Sequence, residues 1–242
     1  MQRALRTAIL AGFATVALST GAQAAGNSNA KIMLHALPTT TKNPCTRVQN
    51  VPTAGCPGYD AGIDNKALYP TYHYAYLLVV NGSQVEGVAG VQFGITYDGP
   101  GAADLAGVDI FGWSLCATLE FQSPSPAWPN SGCGNLVTWD AVTRCQTSGS
   151  PALGTVAVGG YFYLGAYAPA IMRVTPRPVD GLAKVANCGS VEDIVFTTPN
   201  DAQTFLGAVG FGQPGINPCG RDLPPLAVTP SSWSGVKNLI RS

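Results

Sequence analysis

Charge is scarce in this chain. Lys, Arg, Asp and Glu make up 11% of the 242 residues, and the 13 basic side chains are matched by 13 acidic ones. Without a basic excess there is no field to gather phosphates, so nucleic acid is not an expected partner. Histidine is scarcer still. His35 and His73 are the only two. Neither lies near a cysteine cluster and no C-x-x-C pair occurs, so a structural zinc site has no ligand set. The G-x-S-x-G nucleophile elbow and the H-E-x-x-H zinc helix are both missing, which removes two large hydrolase classes. Long apolar runs are missing as well. The run Ala8 to Leu18 falls short of the roughly 20 residues that span a bilayer. There is almost no helical periodicity and no fixed-period repeat.

That short apolar run has another use. Arg3 and Arg6 precede it, and Ala22-Gln23-Ala24 follows it. A basic start, a brief apolar segment and a small-x-small end form a secretory signal peptide, here residues 1–24. Its removal takes away two arginines and leaves 11 basic against 13 acidic residues. The expectation is an exported protein that is extracellular, on the cell surface or in the periplasm, with no transmembrane span once the signal is cleaved.

Export decides what seven cysteines mean, because oxidising compartments favour disulfides. Cys45 and Cys56 flank a Pro/Gly-rich loop and are expected to close it. Cys116 and Cys145 fall in strand-like segments that can lie side by side, which favours Cys116–Cys145. Cys188–Cys219 would tie the last strands together. Cys133, in the Gly-rich segment Asn130 to Asn135, is then the odd thiol.

What the chain does have is Gly and Pro, 29 and 19 residues, set between short runs rich in Val, Thr and Tyr. These read as strands joined by tight turns. Tyr72 to Val80 is the strongest strand signal, ended by Asn81-Gly82. In Val88 to Gly99, Val91, Phe93, Ile95 and Tyr97 alternate with polar or small residues, the period of a half-buried strand. Trp113, Leu115, Ala117, Leu119 and Phe121 repeat the alternation, with Glu120 opposite. Further strands are expected at Ala30–Leu37, Leu136–Asp140, Thr155–Tyr167 with a bend at Gly159-Gly160, Ile171–Thr175, and near Val185 and Asp193. Helix is confined to Asp201–Leu206 and the extreme C-terminus. The fold class is all-β, an antiparallel β-sandwich with loop-rich, disulfide-stapled ends and a short C-terminal helix. Residues 25–200 are expected to form the sandwich, and 201–242 a loop-rich C-terminal region.

The segment Gly87 to Asp98, V-x-G-V-Q-F-x-I-x-Y-D, resembles an early strand of cohesin-like and related immunoglobulin-like sandwiches of secreted bacterial proteins. The Trp113 strand and the later Tyr161-Phe162-Tyr163-Leu164 strand fit the same layout. The resemblance implies the sandwich fold and carries no ligand or residue role.

Chemistry is thin along the chain. A Ser-His-Asp triad would need His35 or His73, and His73 shares its strand face with Ala75, Leu77 and Val79, which reads as core. An acid pair for glycoside hydrolysis would come from Asp98, Asp104, Asp109, Glu120 and Asp140, most of them in turns where Asp bonds its own backbone. Loop carboxylates suit Ca²⁺, and Asp98 with Asp104, or Asp60 with Asp64, are its candidate ligands. The D-x-D-x-D-G loop is absent, so no cofactor is assigned.

The aromatic strips have more substance. Tyr72, Tyr74 and Tyr76 share one strand face, and Tyr161 and Tyr163 another, as sugar-stacking rows or cross-strand ladders do. At the C-terminus, Trp233, Val236 and Ile240 form one apolar face behind a Pro-rich spacer. They suit a helix that docks on its own domain or a sorting tag read by a partner. The function expected from sequence is a non-enzymatic binding, adhesion or structural module that meets a protein or glycan at the cell surface. The alternative is a carbohydrate-binding or polysaccharide-degrading protein built on the aromatic strips and turn carboxylates.

Overall fold

The computed structural model describes residues 26–39, 45, 71–98, 104–150, 154–195 and 202–220. The signal segment 1–24, Cys56, Asp60, Asp64 and the C-terminal Trp233, Val236 and Ile240 lie outside the described residues. The strands are β1 (Lys31–Pro38), β2 (Thr71–Gly82), β3 (Gly90–Tyr97), β4 (Val108–Leu115), β5 (Leu119–Gln122), β6 (Cys133–Thr138), β7 (Gly149–Ser150), β8 (Gly154–Ala166), β9 (Ala170–Thr175), β10 (Lys184–Ala186), β11 (Glu192–Ile194) and β12 (Ala208–Phe211). A four-residue helix, α1 (Ala202–Phe205), precedes β12.

Two antiparallel sheets form a sandwich. The first runs β1-β2-β8-β4, with β7 added against β8. The second runs β11-β10-β3-β6-β5, with β9 also paired to β3 and β12 to β9. Strand β12 lies beyond residue 200 and is part of the second sheet. One edge of β3 serves two neighbours: Gly90–Gln92 pair with β10, and Gly94–Tyr97 with β9. The chain leaves β9 directly over Gly94. A Cβ there would sit 2.5 Å from Pro176 O, so only glycine allows the crossing.

Period-2 patterning fills the space between the sheets. Ala75, Leu77 and Val79 of β2 and Phe162 and Leu164 of β8 face Val91, Phe93 and Ile95 of β3, all fully buried. His73 is 2% exposed on this inner face, as its strand neighbours imply. Strand β8 is one long bulged strand. Leu77 pairs with Gly160 and Leu78 with Val158, so Gly159 is the extra residue that bends it. The Lys31 ammonium lies 4.2 Å from the centroid of the Phe205 ring, which holds α1 against β1.

The segment from Trp113 to Phe121 is not one alternating strand. It divides into β4 in the first sheet and β5 in the second, joined by residues 116–118. Crossing between the sheets inverts the facing. Trp113, Leu115 and Ala117 pack on the core, whereas Leu119 and Phe121 are 58% and 55% exposed. Glu120, opposite Val137 of β6, is half-buried toward the core instead, while Gln122 beside it stays exposed.

The bridges also differ from expectation. Cys45 pairs with Cys116, and Cys145 with Cys188. Cys45–Cys56, Cys116–Cys145 and Cys188–Cys219 are therefore not formed. Cys219 is disulfide-bonded too, though not to Cys188. The reason lies in the pairing around residues 86–88. Val88 and Gln146 exchange backbone hydrogen bonds at 2.9 and 3.0 Å, and the Cys188 N–H donates to Glu86 O at 3.0 Å. Two distant turns thus meet over Gly87, and their sulfurs join there. Among the described residues Cys133 is the free thiol. It opens β6 rather than standing in a loop, and burial pushes it up to about 12. At neutral pH it is a protonated core residue, not a nucleophile.

Candidate functional site

The outer face of the first sheet carries the site. Inner-face packing fixes β2 so that Ala75 and Leu77 point inward, and Tyr72, Tyr74 and Tyr76 must then point outward. The β2–β8 register sets Tyr74 opposite Tyr163 and Tyr76 opposite Tyr161, while Tyr72 faces Gly165. On the far side of β8, a register shift between Ile110 and Gly112 of β4 brings Phe111 to the same surface. Sequence reading missed Phe111 because the bulge breaks its alternation.

The rings form a continuous ladder. Phe111 lies 5.4 Å from Tyr163 and 5.9 Å from Tyr72, and Tyr72 lies 6.1 Å from Tyr163, centroid to centroid. Tyr74 bridges Tyr163 at 5.8 Å and Tyr161 at 5.2 Å, and Tyr161 reaches Tyr76 at 6.0 Å. These are the spacings of interacting aromatic pairs. Gly165 makes room at the upper end, since a Cβ there would crowd the Phe111 and Tyr167 rings at 3.1 Å. Burial, then the neighbouring Tyr72 phenol, push the Tyr167 phenol up to about 12.

Exposure grades along the ladder. Phe111, Tyr72 and Tyr163 are 41%, 40% and 38% exposed. Tyr74 and Tyr161 are half-buried, and Tyr76 is buried. Tyr76 joins Met33, Leu78, Val80 and Cys219 in a second apolar cluster on this outer face. Burial, then the neighbouring Tyr74 and Tyr161 phenols, push the Tyr76 phenol up to about 12. Tyr76 is thus the footing of the ladder and not a contact ring. The exposed triangle of Tyr72, Phe111 and Tyr163 is the accessible part.

Among the described residues the face exposes no charge around the ladder, because Lys31 of β1 is 4% exposed and lies over the Phe205 ring. Strands β2 and β8 contain no Asp, Glu, Lys or Arg, and β4 contains one, Asp109. Asp109 is 1% exposed and accepts the Leu105 N–H at 2.9 Å and the Asp104 N–H at 3.4 Å, so it organises a turn.

The other carboxylates hold backbone or bridge the sheets. Asp98 accepts the Ile171 N–H at 3.2 Å, and Asp104 the Ala106 N–H at 2.9 Å. Among the described residues no group of three or more His, Cys, Asp or Glu could hold a metal ion. Asp140 accepts from the Thr143 and Val142 N–H groups and the Thr143 hydroxyl, which lower its pKa. Glu120 accepts from Trp113 Nε1 and Asn135 Nδ2, both at 2.8 Å, and from Gln122 Nε2 at 2.9 Å. His35 is 6% exposed. A shallow depression on the outer face of the second sheet, lined by Gln92, Leu136, Lys184 and Glu192, neutralises itself through a Lys184–Glu192 ion pair at 3.0 Å.

No protein-family model and no curated protein sequence matches the chain. Among solved structures it is similar to the cohesin module of a family 33 glycoside hydrolase from Clostridium perfringens, with 6% identity and a TM-score of 0.34, over 74% of this chain and 95% of that module. No described helix is long and apolar enough to cross a membrane.

Proposed function

We propose that this chain is an exported, non-enzymatic binding module whose recognition surface is the aromatic outer face of the first sheet. The observation that carries the reading is the triangle of Tyr72, Phe111 and Tyr163, each about two-fifths exposed yet in mutual ring contact. Single exposed apolar side chains are ordinary, but a contiguous cluster on a rigid sheet is what binding surfaces present. Rings locked by cross-strand packing lose little conformational entropy when a partner docks. The turn carboxylates support the non-enzymatic part, since Asp98, Asp104 and Asp109 already serve backbone N–H groups. The basic and apolar start ending at Ala24 supports export, as do the disulfides.

The test is a binding screen of the full chain against glycan and protein arrays, repeated with the triple variant Tyr72→Ala, Phe111→Ala, Tyr163→Ala. The reading expects array signals that the triple variant loses while its thermal melt stays cooperative. Signals that survive in a folded triple variant would place recognition elsewhere. Amino-terminal sequencing of the protein recovered outside the cytoplasm tests export, with Ala25 expected as the first residue.

A further inference from the structure

The binding-module reading leaves the ligand open, and the composition of the face narrows it. The inference therefore rests on that reading. We propose that the platform of Tyr72, Phe111 and Tyr163 binds an extended, neutral polysaccharide, stacking the C–H faces of successive sugar rings on its aromatic faces.

Electrostatics comes first. A polyanionic glycan, an acidic peptide or an anionic membrane needs basic side chains at the contact, and a basic partner needs acids. Strands β2 and β8 supply neither over their whole lengths. The one acid of β4 is buried in its turn, and the one base of β1, Lys31, is 4% exposed and engaged over the Phe205 ring. Only a ligand with no net charge meets this surface without unmatched desolvation.

Hydrogen bonding comes second. Five of the six clustered side chains around the platform are phenols: Tyr72, Tyr74, Tyr161, Tyr163 and Tyr167. Their faces are apolar, but each rim carries a hydroxyl that donates and accepts. An apolar protein surface would strand those hydroxyls on docking, at a cost for each unpaired group. A pyranose satisfies both demands, because its axial C–H bonds form an apolar face and its equatorial hydroxyls form a polar rim.

Shape comes third. The rings sit on an open sheet face, tilted 30–50° to one another. Three mutually adjacent rings offer one stacking position each, so a chain of sugars gains where a monosaccharide covers a single ring. Weak contacts repeated along one ligand add without repeating the cost of association.

The experiment uses the full chain with microcrystalline cellulose and chitin in pull-downs, and with soluble glucan, xylan and mannan in affinity electrophoresis. At least one neutral polysaccharide is expected to retain the chain. Retention should persist in about 1 M NaCl, where screening acts within ~3 Å. Tyr163→Ala should weaken binding about tenfold or more, the loss of ~1.4 kcal/mol or more, while Tyr163→Phe keeps most of it because the ring face remains. No retention on any of these materials overturns the polysaccharide. So does retention that high salt abolishes or that a folded Tyr72→Ala, Tyr163→Ala variant keeps. If instead the arrays show a protein ligand lost in the triple variant, the polysaccharide falls and the binding module stands. A dimer in sedimentation that the triple variant dissolves would likewise assign the face to a second copy of the chain.

Discussion

The Trp113 indole N–H, on the first sheet, donates to Glu120 on the second at 2.8 Å. The same carboxylate oxygen accepts from Asn135, which is fully buried. One side chain thereby closes the edge where β4 gives way to β5, beside Trp128, whose ring meets Trp113 edge-on at 5.2 Å. Glu120→Ala leaves an indole N–H and a buried amide without their acceptor. The expected cost is about 1.5–3 kcal/mol, the range for bonds to a charged group. Glu120→Gln keeps one carbonyl acceptor and should lose less. Urea unfolding of the two variants checks both statements, and equal losses would show that the carboxylate charge, not its acceptor geometry, matters.

The aromatic ladder should separate into structural and surface rings. Tyr76 is 2% exposed and packs in the outer apolar cluster, so Tyr76→Ala is expected to cost about 3–5 kcal/mol as an aromatic core truncation. Tyr163 has an open face, and Tyr163→Ala should cost about 1 kcal/mol, near the centre of ordinary point mutations. Chemical denaturation of each variant measures the difference. A Tyr163→Ala loss as large as that of Tyr76→Ala would make the whole ladder scaffolding.

Period-2 alternation made much of the sandwich readable from the residues. Val91, Phe93, Ile95 and Tyr97 are on one buried face, and Gly159 bulges as two adjacent glycines in a strand suggest. Tyrosines at 72, 74, 161 and 163 meet because β2 and β8 keep an unbroken register from Thr71–Ala166 to Leu77–Gly160. The errors fall where the chain changes sheet or register. At residues 116–118 a three-residue crossing reverses which face is buried, so Glu120 became an inter-sheet acceptor and Phe121 an exposed ring. The bulge beside Gly112 brought Phe111 into the site for the same kind of reason. Disulfide pairing was unreadable because it depends on long-range approach. Cys145 and Cys188 meet only through backbone bonds to Glu86 and Val88, more than 50 residues from the nearer of them by the numbering.

That meeting point predicts a stability effect. The Cys145–Cys188 bridge spans a sequence separation of 43, and a loop of that size is worth about 4 kcal/mol in the chain-entropy account. The double variant Cys145→Ser, Cys188→Ser should lose about that much. Gly87→Ala should act at the same place by a different route. Gly87 has φ +69°, and an added Cβ would collide with both sulfurs. The expected penalty combines the ~1–2 kcal/mol of a left-handed non-glycine residue with the displaced bridge. In the serine background the sulfurs are gone and mainly the backbone part should remain. A double-mutant cycle by thermal melting reads the coupling, and strict additivity would deny that Gly87 is there to seat the bridge.

His73 gives the fold a pH dependence whose sign follows from its position. Its ring lies 5.4 Å from Phe211 on the inner face of the sandwich, and burial lowers its pKa below the ordinary 6.5. In the unfolded chain this imidazole protonates as the pH falls through about 6.5, while in the folded chain it stays neutral until lower pH. The unfolded state therefore binds more protons in that interval. The contribution is fully present above about pH 6.5, declines as the pH drops, and stops changing once the pH is below the folded value. A single group gives a slope of at most ~1.4 kcal/mol per pH unit. His73→Gln removes the titration while keeping a polar side chain at the site. Urea unfolding between about pH 7.5 and 5 should show a shallower decline for the variant than for the native chain. Parallel declines would mean that the imidazole keeps its ordinary affinity for protons inside the sandwich.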